Sequence, residues 1–345
     1  MEYQIGGKVM PNVVRYIRIV KNYKIKQMKI IKNILMILGV IFVGSTLIFA
    51  VQNQYKETAM AIENPKPETI DGGDVGYRIT AIEIPEDLNF ADEAVPFDDP
   101  EIMERVDREF LVNTYWQSNA LLLMKRANKF FPIIEPILAK NGIPDDFKYL
   151  ALAESGLQNV VSPAGATGFW QIMSATGKEY GLEINGNVDE RYHIEKSTEV
   201  ACRYLKRSKD KFGSWTLAAA AYNAGAGGIH KYMGIQKADG YYDLLLGEET
   251  GRYVFRILAI KEILSNPEKY GFHLEKEDMY TAVPTFNVEI NEPVSNFADF
   301  ANQYEINYKI LKRHNPWLRE PHLNNSSKKK YTIEIPNKGY YKISK

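Results

Sequence analysis

The chain has 345 residues, its 43 Lys plus Arg balance 43 Asp plus Glu, and 45% of it is hydrophobic. That length makes one large domain or two to three ordinary ones, with enough apolar content for a packed core. The even charge balance excludes the basic field of a nucleic-acid binder. A single cysteine, Cys202, excludes an intramolecular disulfide and any cysteine-built zinc site, and reads as a buried thiol on a helix. The histidines (His193, His230, His273, His314, His322) lack metal-ligand spacing, so neither a metal nor a cofactor is expected.

Residues 1–33 are basic and nearly free of acids. From Ile34 to Val51 about 18 residues run apolar, broken only by glycine, Ser45 and Thr46, long enough to cross a bilayer. Positive charge ahead of the span predicts a cytoplasmic N-terminus, an uncleaved anchor at 34–51 and an exported remainder. The rival is a cleaved signal peptide; against it stand the length of the run and the poor cleavage site at Ile48-Phe49-Ala50. Met28, followed by Lys29-Ile30-Ile31-Lys32, is a more typical start than Met1.

Residues 52–100 are acidic and punctuated by proline, which predicts a tether, with a short strand over 79–84. Residues 101–280 read as an all-α domain. Helical periodicity runs over Val106 to Ala127, Phe131 to Lys140, Thr198 to Phe212, Trp215 to Ala224 and Tyr253 to Leu264, with glycine-rich turns between. Residues 281–345 change texture: strands at Thr285 to Ile290 and Tyr331 to Ile335 enclose two short helical segments, a small separate α+β unit.

The most informative stretch is Phe147 to Gly156. Pro144, Asp145 and Asp146 read as its start and cap, and Gly156 as its stop. Phe147, Leu150 and Ala151 precede Glu154 by seven, four and three residues, so a carboxyl falls on the apolar stripe. Desolvation there would hold a proton on it near neutrality, as a general acid requires; the competing reading is a helix-end glutamate turned to solvent or paired with an arginine. Three further clusters carry polar groups: Gly168 to Ile172 with Gln171, Ala221 to Gly225 with Tyr222 and Asn223, and Glu249 to Tyr253. One acid, two amides and two tyrosines are the components of a site for uncharged sugar. No phosphate loop or G-x-S-x-G elbow is present.

Together Glu154-Ser155-Gly156, Gly168-Phe169-Trp170-Gln171, Ala221-Tyr222-Asn223-Ala224-Gly225 and Glu249-Thr250-Gly251-Arg252-Tyr253 resemble the four ordered motifs of the soluble-lytic-transglycosylase (SLT) domain of the lysozyme-like superfamily. The span from Glu101 to Tyr270 resembles the membrane-bound lytic murein transglycosylase D type, with Gly251 standing where a basic or polar residue is common. The tail resembles a LysM module in its element order and its Leu311-to-Trp317 segment, without the usual Gly-Asp-Thr/Ser opening. The resemblance implies a mainly α fold, a lysozyme-like SLT domain followed by a LysM-like module. It implies peptidoglycan glycan strands as the partner, cut between N-acetylmuramic acid and N-acetylglucosamine with formation of a 1,6-anhydro sugar. Glu154 is then the catalytic acid and base, and Ser155, Gln171, Tyr222, Asn223 and Tyr253 are substrate-binding, the two tyrosines orienting the carboxyl. Two readings compete: a goose-type lysozyme-like hydrolase using Asp189 or Glu190 to activate water, and a non-catalytic wall-binding scaffold. Protein partners are not indicated.

Overall fold

The computed structural model describes residues 79–341, and the basic N-terminus, the expected span at 34–51 and most of the expected tether lie outside them. No helix among the described residues is long and apolar enough to cross a membrane. Ten α-helices and two small two-stranded sheets make up the described chain. The helical body comprises α1 (Pro100–Tyr115), α2 (Gln117–Lys140), α3 (Phe147–Ser155), α4 (Ser174–Glu179), α5 (Ile194–Phe212), α6 (Trp215–Ala224), α7 (Ala226–Gln236) and α8 (Glu248–Ser265). The mainly α expectation holds.

At the centre lies α6. Ser214 caps it, its hydroxyl accepting from Leu217 N–H at 3.2 Å. Leu217 and the four alanines that follow are fully buried, so this helix is sunk into the body, where small side chains let neighbours approach closely. Against it and against α1 and α3 packs α8, contributing Tyr253, Val254, Ile257, Leu258 and Ile260 to the core. Cys202 is buried on α5, where lack of solvent pushes its thiol up to about 12.

Two expectations at helix ends are not met. The segment expected to run unbroken from Val106 to Ala127 is divided at Trp116, whose φ of −88° and ψ of 61° end α1 and open α2. No glycine or proline marks that corner, so sequence punctuation gives no sign of it. Asp146 caps nothing: its carboxylate accepts from Ala91 N–H and from Lys261 Nζ, both at 2.7 Å, tying the chain ahead of α1 to α8. Gly156 does stop α3, in the left-handed region at φ 59°, with its N–H on Leu152 O at 2.8 Å.

The tether expected over 52–100 ends earlier than its composition suggests. Ile79 to Ile84 form no strand; instead a tight hairpin, β1 (Asn89–Phe90) and β2 (Glu93–Ala94), buries Leu88, Phe90 and Val95 in the helical core. Acidic residues here are not a solvated run. The Glu93 carboxylate sits at the N-terminus of α6, accepting from Trp215 N–H at 2.5 Å, Thr216 N–H at 2.9 Å and the hydroxyls of Ser214 and Thr216 at 2.8 Å.

The C-terminal module pairs β3 (Thr285–Ile290) antiparallel with β4 (Tyr331–Pro336), Thr285 opposite Pro336, and packs α9 (Phe297–Gln303) and α10 (Tyr308–His314) against them. Asn296 and Asn307 cap the two helices. Its core of Phe297, Leu311, Trp317, Ile333 and Ile335 also takes in Val188 from the body. The separate unit read from sequence is therefore docked: Asp189 N–H donates to Trp317 O at 2.9 Å and Arg319 N–H to Asn187 O at 2.7 Å, while the His193 and Trp317 rings stack 5.8 Å apart.

Burial alone would raise the Glu93 carboxyl, but the backbone donors of Trp215 and Thr216 and the hydroxyls of Ser214 and Thr216 outweigh it and hold the group below its usual range. Its stabilising contribution is present at neutral pH and is lost as pH falls through that lowered value. Glu93→Ala strips acceptors from a helix N-terminus and is expected to cost roughly 2 kcal/mol, read as a lower urea midpoint with an unchanged m-value.

Candidate active site

Glu154 stands on the last turn of α3, where the stripe of Phe147, Leu150 and Ala151 runs into the core and stops at the wall of a groove of about 350 Å³. The carboxyl is partly buried. Its hydrogen-bond donor is Tyr253 on α8, whose hydroxyl meets Oε1 across 99 residues of sequence. Loss of solvent pushes the Glu154 carboxyl up to about 7; the Tyr253 hydrogen bond opposes that rise, Glu249 adds to it, and Arg256 opposes it. A proton therefore stays on Glu154 in a good part of the molecules at neutral pH. Tyr253 is itself buried, and burial followed by the neighbouring carboxyl drives its hydroxyl well above the ordinary phenol range, so it remains a donor.

Three of the expected site residues turn out to hold one loop. Ser155 Oγ donates to Phe169 O at 2.8 Å, Tyr222 OH to Trp170 O at 2.6 Å, and Gln171 Nε2 to Gly168 O at 2.8 Å and Val160 O at 3.2 Å. Residues 160–172 are thus clamped from α3, from α6 and from within. Trp170 anchors the loop in the core, its indole N–H on Thr198 Oγ1 at 2.8 Å. Gly168 is required at φ 83°, since a Cβ there would lie 2.1 Å from Arg191 O. Ser155 and Tyr222, expected to bind substrate, donate their hydroxyls to backbone carbonyls; of the two tyrosines expected beside the carboxyl, Tyr253 is the one that hydrogen-bonds it. Gln171 keeps its Oε1 without a hydrogen bond among the described residues, and Asn223 accepts from Thr250 Oγ1 at 2.8 Å, leaving its N–H groups uncommitted.

Sequence reasoning passed over Glu109. It is 1% exposed on α1, receives Arg108 Nη1 at 2.6 Å and Arg252 Nε at 2.7 Å, and has Arg256 Nε 3.8 Å from its other oxygen. The signal was present: Ile102 and Val106 precede Glu109 by seven and three residues, the same carboxyl-on-an-apolar-stripe pattern that singled out Glu154. Asp189 and Glu190 lie elsewhere, closed in ion pairs with Arg191 and with Lys196 and Lys329 beside the C-terminal module.

A raised carboxyl on a short helix end stands beside a clamped glycine-rich loop. Residues 131–245 match the family model of the transglycosylase SLT domain, and residues 286–339 that of the soluble lytic transglycosylase C-terminal LysM-like domain. The middle of the helical body, residues 131–245, is thus similar to an SLT domain. The membrane-bound lytic murein transglycosylases D of Escherichia coli strain K12 and of an O6:H1 strain are each 33% identical to this chain over 200 residues, 56% of the chain and 44% of the relative. The chain thus spans under half the length of those curated relatives. A solved structure of an inactive mutant of lytic transglycosylase Slt from Pseudomonas aeruginosa aligns over 44% of this chain and 26% of its own, at 19% identity and a TM-score of 0.34. The matched SLT span stops short of α8, so Tyr253, like Glu109 on α1, lies outside it.

An unfolded glutamate ionises near 4.5 and Glu154 near 7, so folding takes up a proton between those values and stability falls as pH rises across them. Glu154→Gln removes that dependence: the variant is expected to match the parent near pH 4 and to exceed it by up to about 3 kcal/mol above pH 7, measured by urea unfolding across the range. Tyr253→Phe deletes the donor that opposes the rise, so the carboxyl-carbon NMR titration of Glu154 should move to still higher pH.

Proposed function

We propose that this chain is a peptidoglycan lytic transglycosylase that cuts the β-1,4 bond between N-acetylmuramic acid and N-acetylglucosamine, leaving 1,6-anhydro ends. The single observation carrying this reading is Glu154, at the wall of a groove, raised to about 7 by loss of solvent and hydrogen-bonded by Tyr253, on a helix within the SLT-matched residues. Glu154 donates its proton to the bridging oxygen as the C1–O bond breaks. The substrate's N-acetyl oxygen supports the positive C1. Glu154, now a carboxylate, takes the proton of the muramic C6 hydroxyl as that oxygen closes onto C1, so a bond forms for the one broken and no water is consumed. Tyr253 holds the carboxyl in position for both transfers. Gln171 Oε1 and the Asn223 amide N–H groups, without hydrogen bonds among the described residues, are available to sugar hydroxyl and N-acetyl groups.

The hydrolytic alternative needs a second carboxylate to activate water. The other acid lining the groove, Glu109, is closed in by Arg108 and Arg252, and Asp189 and Glu190 are paired beside the C-terminal module. This favours closure by the substrate's own hydroxyl. By the same reading the chain works in the cell envelope, held by the apolar segment at 34–51, and the LysM-like module is a wall-facing accessory.

Glu154→Gln is expected to fold and to release no soluble fragments from purified sacculi. Mass spectrometry of the parent's digest should give muropeptides lighter by one water than hydrolysis products. Fragments carrying a reducing muramic end would instead establish a hydrolase.

A further inference from the structure

The groove of Glu154 extends beyond the SLT-matched residues. Its far wall is the corner where α1 meets α2, and there Trp116 is 60% exposed, with Val112, 43% exposed, one turn before it. Trp116 backbone groups are fully used: its N–H donates to Val112 O at 3.1 Å and its carbonyl accepts from Asn119 N–H at 3.0 Å and Ala120 N–H at 3.1 Å. Its indole makes no ring contact and no hydrogen bond among the described residues. The other three tryptophans are drawn into the protein: Trp170 and Trp317 are buried, and Trp215 is partly covered and packs edge-on against Phe147. A lone exposed apolar side chain needs no explanation. An indole held by a rigid corner in the same groove as a raised carboxyl does.

The polar groups around it select a ligand. Asn113 donates to Glu109 O at 2.8 Å and keeps its Oδ1, and Gln158 lines the same wall. The two arginines that line the groove are not available to an anion; Arg126 beside it donates to Gly156 O at 3.2 Å. Arg252 is taken by Glu109 and Glu248, and Arg256 by Glu249. On the Trp116 side three arginines and three glutamates, counting Arg108 and Glu109, balance one another. An aromatic plane flanked by amides, with the lining arginines held in ion pairs, suits the apolar face and N-acetyl group of an uncharged sugar better than a phosphate or an acidic peptide.

We propose that the Trp116 corner is a sugar subsite continuous with the groove of Glu154, which stacks an uncharged N-acetylhexosamine of a β-1,4-linked glycan and so positions the strand across the carboxyl. The proposal rests on reading that groove as the glycan-cutting site. Trp116 is a binding and positioning residue and takes no part in proton transfer.

The test uses the Glu154→Gln chain, which does not consume its ligand, titrated with the β-1,4 tetramer of N-acetylglucosamine. Tryptophan emission should move to shorter wavelength on saturation as the exposed indole is covered. Adding Trp116→Ala should abolish that shift and weaken calorimetric affinity about tenfold, while Trp116→Phe, which keeps a ring, should retain most of it. In the active chain on sacculi, Trp116→Ala should raise KM about tenfold with a much smaller change in kcat, and its unfolding midpoint should stay with the parent's because the side chain is exposed. Cutting with unchanged KM in Trp116→Ala overturns the subsite and leaves the catalytic reading standing. A tetramer-induced shift that depends on Trp116, in a parent that never cuts glycan, sinks the catalytic reading and leaves the subsite. Neither binding nor cutting overturns both.

Discussion

The contact on which the rest of this molecule depends is a hydroxyl from one helix meeting a carboxyl on another. Glu154 ends α3 and Tyr253 lies in the second turn of α8, and each is placed by packing that has nothing to do with its polar group. Phe147, Leu150 and Ala151 fasten α3; Val254, Ile257 and Leu258 fasten α8. Burial of these side chains, worth roughly 2 kcal/mol for each large one, holds the polar pair out of bulk solvent. Desolvation raises the Glu154 carboxyl, the Tyr253 hydrogen bond opposes that rise, and the group comes to rest at about 7, where it can both give and take a proton.

The second theme is how much polar chemistry in this body goes into shaping rather than reacting. Ser155, Tyr222 and the Gln171 amide converge on the backbone of residues 168–171, while Glu93 closes the N-terminus of α6. Buried hydrogen bonds of this kind contribute about 1 kcal/mol each, but leaving their partners unmatched costs more. They fix a loop whose backbone could otherwise sample many conformations. The docked C-terminal module follows the same logic, with Val188 inserted in its core and a main-chain bridge from Val188 to Leu318.

Helix periodicity is local, which is why α3, α6 and the strands of the C-terminal module were legible. Trp215–Ala224 and Thr285–Ile290 form where their residue patterns place them, and Gly156 stops α3 through a left-handed φ that other side chains resist. Glu154 could be picked out because its apolar neighbours lie three, four and seven residues away on the same helix. Periodicity failed at Trp116, where neither glycine nor proline announces the corner. It failed again over residues 88–95, where acidic residues that resemble a solvated tether find buried donors far along the chain.

By itself, then, the order of residues determined which faces are apolar, where most helices stop, and that an acid occupies a core-facing position. Which tyrosine reaches that acid was decided only by tertiary packing, because Tyr222 and Tyr253 look alike along the chain and differ in the backbone they meet. The same holds for the balanced charges beside Trp116. Charges from α1 and α8 cancel there only once those helices lie side by side, and a linear reading has no measure of that distance.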